Sequence, residues 1–339
     1  MIPILKEILA INPKVQIIGS PWTPPRWMKV NNLTDLQPHN QWTSGQLNPA
    51  HYQDYALYFA KWLQAMKDNG LNVNAITIQN EPLNRGNSAS MYMGWDEQLA
   101  FIKSALGKTL RNKGFAEVKI YLFDHNYNYD NIPSQQQYPL HIYKDADASQ
   151  YVAGAAYHNY GGNPNELSNI HNQYPNKELI FTESSIGTWN DGRNLQRRLT
   201  EDMQELGIKT LNNHCKAVMV WNLMLDEHGA PNREGGCKTC FGAVDIQTSD
   251  YKTMQRNSHY YVISHLSSVI KQGATRIGVE KTTDDNVQCT AFENPDGSLA
   301  CVLLNKKKEA TYLTLSTGKH YFSYEVPANS VVSFLIPKI

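Results

Sequence analysis

The chain has 339 residues, and its 31 Lys and Arg balance 31 Asp and Glu, so the formal net charge is zero. That balance offers no basic face to a nucleic-acid backbone, no apolar run is long enough to span a bilayer, and five cysteines do not make a disulfide-built scaffold. The 19 Tyr and 7 Trp suit a surface that meets sugars, and equally an aromatic core.

The chain opens on MIPILKEILAINPK, which lacks a basic region leading into a long apolar core and is not read as a signal peptide. It reads as the end of a helix entering the run KVQIIGS (14–20). Five further apolar runs follow: VNAITIQN (73–80), VKIYLFD (118–124), YVAGAAYH (151–158), ELIFTES (178–184) and KAVMVWNL (216–223). Each is short and ends in a polar loop, as fully buried parallel strands do. Helical patterns separate them. After Asn48-Pro49, the residues Tyr55, Phe59, Trp62, Leu63 and Met66 share one face, and Asn69-Gly70 ends the helix. Leu99, Ile102, Leu106 and Leu110 repeat the pattern, and further helices are expected over roughly 192–213 and 252–270. From 274 the pattern changes to short strands between turns: ATRIGVEK, NVQCTAFE, SLACVLLN, TYLTLS, HYFSYEV and SVVSFLI.

Repeated strand–helix units imply a parallel sheet covered by helices. A doubly wound sheet and a barrel both fit. The barrel is favoured because Trp22, Glu81, Asp124, His158, Glu183 and Asn222 all sit at the carboxyl ends of runs, where barrel enzymes build their sites. The expected fold is α/β: a (β/α)8 TIM barrel over 1–273, with its first two units missing from the chain, and an antiparallel β-sandwich module over 274–339.

Two strand tips carry a carboxylate: Glu81 after ITIQN, and Glu183 after ELIFT, three strands later. In an eight-stranded barrel these tips face each other across the mouth. Paired carboxyls are what glycoside cleavage needs, with retention when about 5 Å apart and inversion at about 6.5–9.5 Å. Either Glu alone reads as an ordinary surface or salt-bridge residue. Two at strand tips, the first preceded by Asn80, favour chemistry.

GSPWTPPRWMK (19–29), TIQNEP (77–82), AAYHNYGG (155–162), FTESS (181–185) and WNLMLDEHGAPN (221–232) together resemble glycoside hydrolase family 30, which includes glucosylceramidases and endo-β-1,6-glucanases. The resemblance implies a retaining hydrolase with Glu81 as acid/base and Glu183 as nucleophile. It implies that Asn80 bonds the sugar 2-OH, that Tyr160 donates to the nucleophile and that Trp221 is the platform under the ring. Trp22, Asp124, His125 and Asn232 would line the glucose subsite. Burial and the neighbouring Glu183 charge are expected to raise the pKa of Glu81. DHNYNYDN (124–131) is closer to the β-1,6-glucanase branch than to the glucosylceramidase branch. The partner implied is a β-glucan or β-glucoside, and the resemblance implies export to the periplasm or cell surface.

His125, His141 and His158 fit no metal-ligand spacing, and neither metal nor cofactor is expected. His158 reads as a hydrogen-bonding wall of the pocket or as a satisfied buried histidine. Cys237 and Cys240 read as a local loop disulfide or two free thiols. Trp27, Trp42, Trp95 and Trp189 are loop tryptophans that either stack on sugar or pack locally. Within the family a glucosylceramidase and an exo-β-glucosidase stand as alternatives to the endo-glucanase, and the expected lack of two barrel units leaves an inactive carbohydrate-binding remnant as an alternative of another class.

Overall fold

The computed structural model describes residues 1–280, 285–318 and 320–338. The chain divides into two compact units, one of Met1–Ile180 with Glu234–Gly236, the other of Phe181–Arg233 with Cys237–Ile339.

In the first unit the strands Ile18–Gly19, Ala75–Thr77, Lys119–Asn126, Gly154–His158 and Glu178–Glu183 are neighbours in that order. The pairings from Ile18 to Tyr157 are parallel. Two strands are much shorter than their apolar runs, that at 14–20 pairing at Ile18–Gly19 and that at 73–80 at Ala75–Thr77, while the run at 118–124 extends to Asn126. Gly154 opens its strand because a Cβ there would lie 1.9 Å from the Glu178 carbonyl oxygen.

Helix Tyr52–Asp68 follows a 3-10 turn, Pro49–His51, whose start is capped by Asn48 accepting the Ala50 N–H. Tyr55, Phe59, Leu63 and Met66 fall on its buried face. Tyr55 stacks on Phe101 of helix Trp95–Phe101, with ring centroids 5.4 Å apart. Gly70, at φ +77°, turns the chain out of the helix. A hairpin that the sequence did not announce, Lys29–Val30 with Gln46–Leu47, lies in the long loop after the first strand.

Glu97 is buried near this hairpin. Its Oε1 accepts Gln46 Nε2 at 2.7 Å and the Gly94 N–H at 3.2 Å, while Oε2 has no partner among the described residues. Burial pushes its carboxyl up to about 7, against the hydrogen bonds that favour the anion. A folded-state pKa above the unfolded value stabilises fully below the unfolded value, and that contribution is lost as pH rises through 7. Glu97→Gln is therefore expected to raise the thermal midpoint at pH 8 and to change it little at pH 5. A midpoint that falls equally at both pH values would rule this origin out.

The second unit holds the end of strand Glu178–Glu183, whose neighbour is Cys215–Val218. Helices run over Leu195–Asn212, through a wider π turn at Met203–Ile208, and over Ser258–Val269. A small sheet joins Met224–Asp226 parallel to Val244–Ile246, which pairs antiparallel with Met254–Arg256. The six strands of the β module form where the turns predict them. Thr275–Ile277, Val287–Glu293, Leu299–Asn305 and Ser330–Ile336 make one antiparallel sheet, and Thr311–Ser316 with Tyr321–Val326 a second. Lys281, read as the end of the first of these strands, lies outside the described residues. Val287, Leu303 and Val326 form the core of the module, with Leu313, Val332 and Phe334 against them.

Candidate active site

Glu81 follows the strand Ala75–Thr77 and holds a left-handed backbone, φ 45°, that non-glycine residues rarely adopt. Three contacts hold it there. Its N–H donates to the Asp124 carbonyl at 3.0 Å. Asn84 Nδ2 donates to Oε2 at 2.8 Å, and Asn87 Nδ2 donates to the same oxygen. On the other side Oε1 lies 3.3 Å from His158 Nδ1 and 3.9 Å from His125 Nε2. Asp124 is also left-handed, φ 67°, at a register shift between Phe123 and His125. The hydroxyls of Ser20 and Thr77 lie 2.7 Å from its Oδ2, and His158 Nε2 lies 3.1 Å from its Oδ1. Imidazole thus bridges two buried carboxylates, Asp124 and Glu81.

This geometry overturns the expected pKa of Glu81. Burial does push the carboxyl up, but the His158 hydrogen bond, the charges of His125 and His158, and the Asn84 hydrogen bond together hold it down at about 2. Burial also holds His125 down to about 4, so its charge acts only in acid. Near neutrality the donors on His158 and Asn84 carry the effect.

Asn80 is buried beside Glu81, with its N–H on the Pro21 carbonyl at 2.8 Å. Trp22 accepts Gln79 Nε2 on its carbonyl at 2.7 Å. His125 is 1% exposed, its Nε2 3.4 Å from Asp130 Oδ2 and its Nδ1 without a partner among the described residues. Tyr160 is half exposed, its N–H on Asn126 Oδ1 and its ring 6.0 Å from that of His158. The first unit therefore gathers Glu81, Asp124, His125 and His158 into one cluster, with Asn80 and Tyr160 as neighbours in sequence. Sequence reasoning assigned no role to Asn84, Asn87, Ser20 and Thr77; two asparagines within six residues of Glu81, and the motifs at 19–29 and 77–82 that hold Ser20 and Thr77, were the local signals.

In the second unit Glu183 ends its strand and is followed by buried Ser184 and Ser185. Trp221 donates its N–H to the Ser184 carbonyl at 2.8 Å and bridges to Ser185, which ties it to the tip that carries Glu183. Asn232 lies further along the following loop, its Nδ2 on the Gly229 carbonyl at 3.2 Å. Cys237 and Cys240 are joined as a disulfide, which decides between the two readings of that pair. The same loop returns by pairing Cys240–Phe241 with Ile186–Gly187, and Trp189 stands half exposed just beyond.

Parallel strands followed by buried polar groups beyond their carboxyl ends define the class as a barrel enzyme. Residues 1–270 match the glycosyl hydrolase family 30 TIM-barrel domain, and residues 273–334 its beta sandwich domain. The chain belongs to glycosyl hydrolase family 30. It is 33% identical over 355 residues to an endo-1,6-beta-D-glucanase of Trichoderma harzianum, covering 100% of this chain and 68% of the relative. A solved endo-beta1,6-glucanase, BT3312, is 61% identical with a TM-score of 0.97, covering 99% of this chain and 75% of that one. The putative glucosylceramidase 1 of Caenorhabditis elegans is 27% identical, covering 99% of this chain and 65% of the relative. No helix among the described residues is long and apolar enough to cross a membrane.

Proposed function

We propose that the chain is a retaining endo-β-1,6-glucanase. Glu183 attacks the anomeric carbon, the glycosidic bond breaks, and Glu81 protonates the departing oxygen. Water, deprotonated by Glu81, then cleaves the glycosyl ester on Glu183, and the β configuration is restored. The observation that carries the linkage is the likeness to the glucanase over 99% of the chain.

The cluster in the first unit supports the acid/base half of this reading. The hydroxyls of Ser20 and Thr77 reach Oδ2 of Asp124, and its Oδ1 faces His158 Nε2, so His158 directs its Nε2–H at Asp124. His158 Nδ1 and Glu81 Oε1 then share one proton across 3.3 Å. Glu81 rests as an anion and draws that proton from the imidazole as negative charge grows on the leaving oxygen. Once the bond is broken, Glu81 is an anion again and serves as base. A polymeric glucan also implies work outside the cytoplasm, at the cell surface or in the periplasm.

The test is incubation with β-1,6-glucan and with an aryl β-glucoside, following the products by NMR. Oligosaccharides of mixed length released first as β anomers are the expected result. First-formed α anomers would overturn retention. Glucose from the aryl glucoside alone would overturn endo action on this glucan and favour an exo-β-glucosidase or a glucosylceramidase.

A further inference from the structure

Lys29 opens the short hairpin that follows the Trp22 loop, and it is 2% exposed. No carboxylate among the described residues pairs with it. Its Nζ instead donates to three carbonyls: Gln41 at 3.1 Å, Trp42 at 3.3 Å and Ser90 at 2.9 Å. An ammonium has three N–H donors and here meets three acceptors. Burying a lone cation is costly unless its hydrogen bonds are satisfied, so the site asks what these bonds hold.

They hold two loops together. One is the segment 39–45, which presents half-exposed Trp42 with Arg26 over its ring. The other is the segment 84–90, which carries Asn84 and Asn87 onto Glu81 Oε2. Ser90 laces the same seam. Its N–H donates to the Trp42 carbonyl at 3.0 Å, its Oγ accepts the Ser44 N–H at 2.9 Å, and that hydroxyl donates to the Arg85 carbonyl at 3.1 Å. Next along, the Tyr92 N–H donates to the Gly45 carbonyl at 2.9 Å.

We propose that Lys29 is a positioning residue for the acid/base carboxylate: its ammonium clamps these two loops and so keeps Asn84 and Asn87 donating to Glu81. This rests on the reading of Glu81 given above. Burial lowers the Lys29 ammonium to about 8. The neutral amine has two N–H groups, so one of the three carbonyls loses its donor above that pH. The other ionisable groups on the adjoining segments include Arg26, Asp35, His39, Arg85, Tyr92 and Glu97. The His39 ring is held between Asn31 Oδ1 and the Thr43 carbonyl, and Arg85 lies over the Tyr92 ring.

The consequence is specific to Glu81. Two amide donors on Oε2 favour the anion, so slackening them raises its pKa. Lys29→Met is expected to lower kcat/KM on β-1,6-glucan about tenfold. It should cost less on an aryl glucoside with a good leaving group, and should move the limb of the pH profile that belongs to Glu81 to higher pH. In a Glu81→Ala background rescued by azide, the same substitution should change the rate by less than about twofold, because the group it positions is gone. An equal loss on both substrates and in both backgrounds, with no shift of the limb, would mean a merely structural role and overturn the proposal. If Lys29→Met does not fold, Ser90→Ala keeps the ammonium and loosens the same seam. It should shift the pH limb the same way, and an unmoved limb there counts equally against the clamp. If Glu81→Ala itself proves insensitive to the leaving group, the acid/base assignment fails and the role of Lys29 with it. If Glu81→Ala behaves as expected while Lys29→Met is silent, only the clamp fails.

Discussion

Glu183→Gly is expected to lose hydrolysis of β-1,6-glucan by about 10⁵-fold or more, because the step it performs has no substitute in the site. Glycine leaves room where the carboxylate stood. With an aryl β-glucoside that carries its own good leaving group, added azide should enter that room and attack the anomeric carbon once. The product expected is the α-glycosyl azide, with one inversion replacing two. Tm should stay close to that of the parent, since Glu183 lies at a strand tip and is only partly buried. A β-azide, or no azide product from a folded variant, would remove Glu183 from the role of nucleophile.

Glu81→Ala separates the two chemical halves. General acid catalysis is worth about 10²–10⁴-fold, and that loss should appear on glucan, whose leaving group is a poorly acidic sugar hydroxyl. Aryl glucosides with acidic phenols need no proton, so formation of their ester should suffer by less than about tenfold. The ester then accumulates for want of a base. Azide should relieve it and give the β-glycosyl azide, the opposite configuration from that of the Glu183 variant. A uniform loss across leaving groups would mean that Glu81 binds substrate without delivering a proton. The resting anion held at about 2 adds a further check. Removing the Asn84 donor by Asn84→Ala raises the pKa of Glu81, and the corresponding limb should move to higher pH.

The parts of this molecule that were legible are those written locally. Buried runs that end abruptly on Glu81, Asp124, His158 and Glu183 announce strand tips, and Asn294-Pro295-Asp296-Gly297 announces the turn between Val287–Glu293 and Leu299–Asn305. The sheet Met224–Ile246–Met254 was not announced, because strands of three residues are too short to show a period of two. The electrostatics of Glu81 were misread for a related reason. A strand-tip carboxylate near a second one suggests a raised pKa, but the ring that lowers it lies 77 residues away in sequence, held by a carboxylate 34 residues from it. Lys29 lies in the segment 19–29, where nothing local marks its role. Only the folded chain shows that its charge meets carbonyls from two separate loops.

The left-handed residues have a meaning for how this sequence can drift. Glu81, Phe123, Asp124, Tyr129, Asp130 and Asn131 all hold positive φ, between 45° and 69°. At such positions the backbone, before any question of chemistry, bars β-branched residues and favours Asn, Asp and Gly. Variation around the acid/base is thereby confined to a narrow corridor. A library meant to retune this loop should draw on those few residue types at 129–131, and leave the search for new sugar contacts to positions outside the left-handed set.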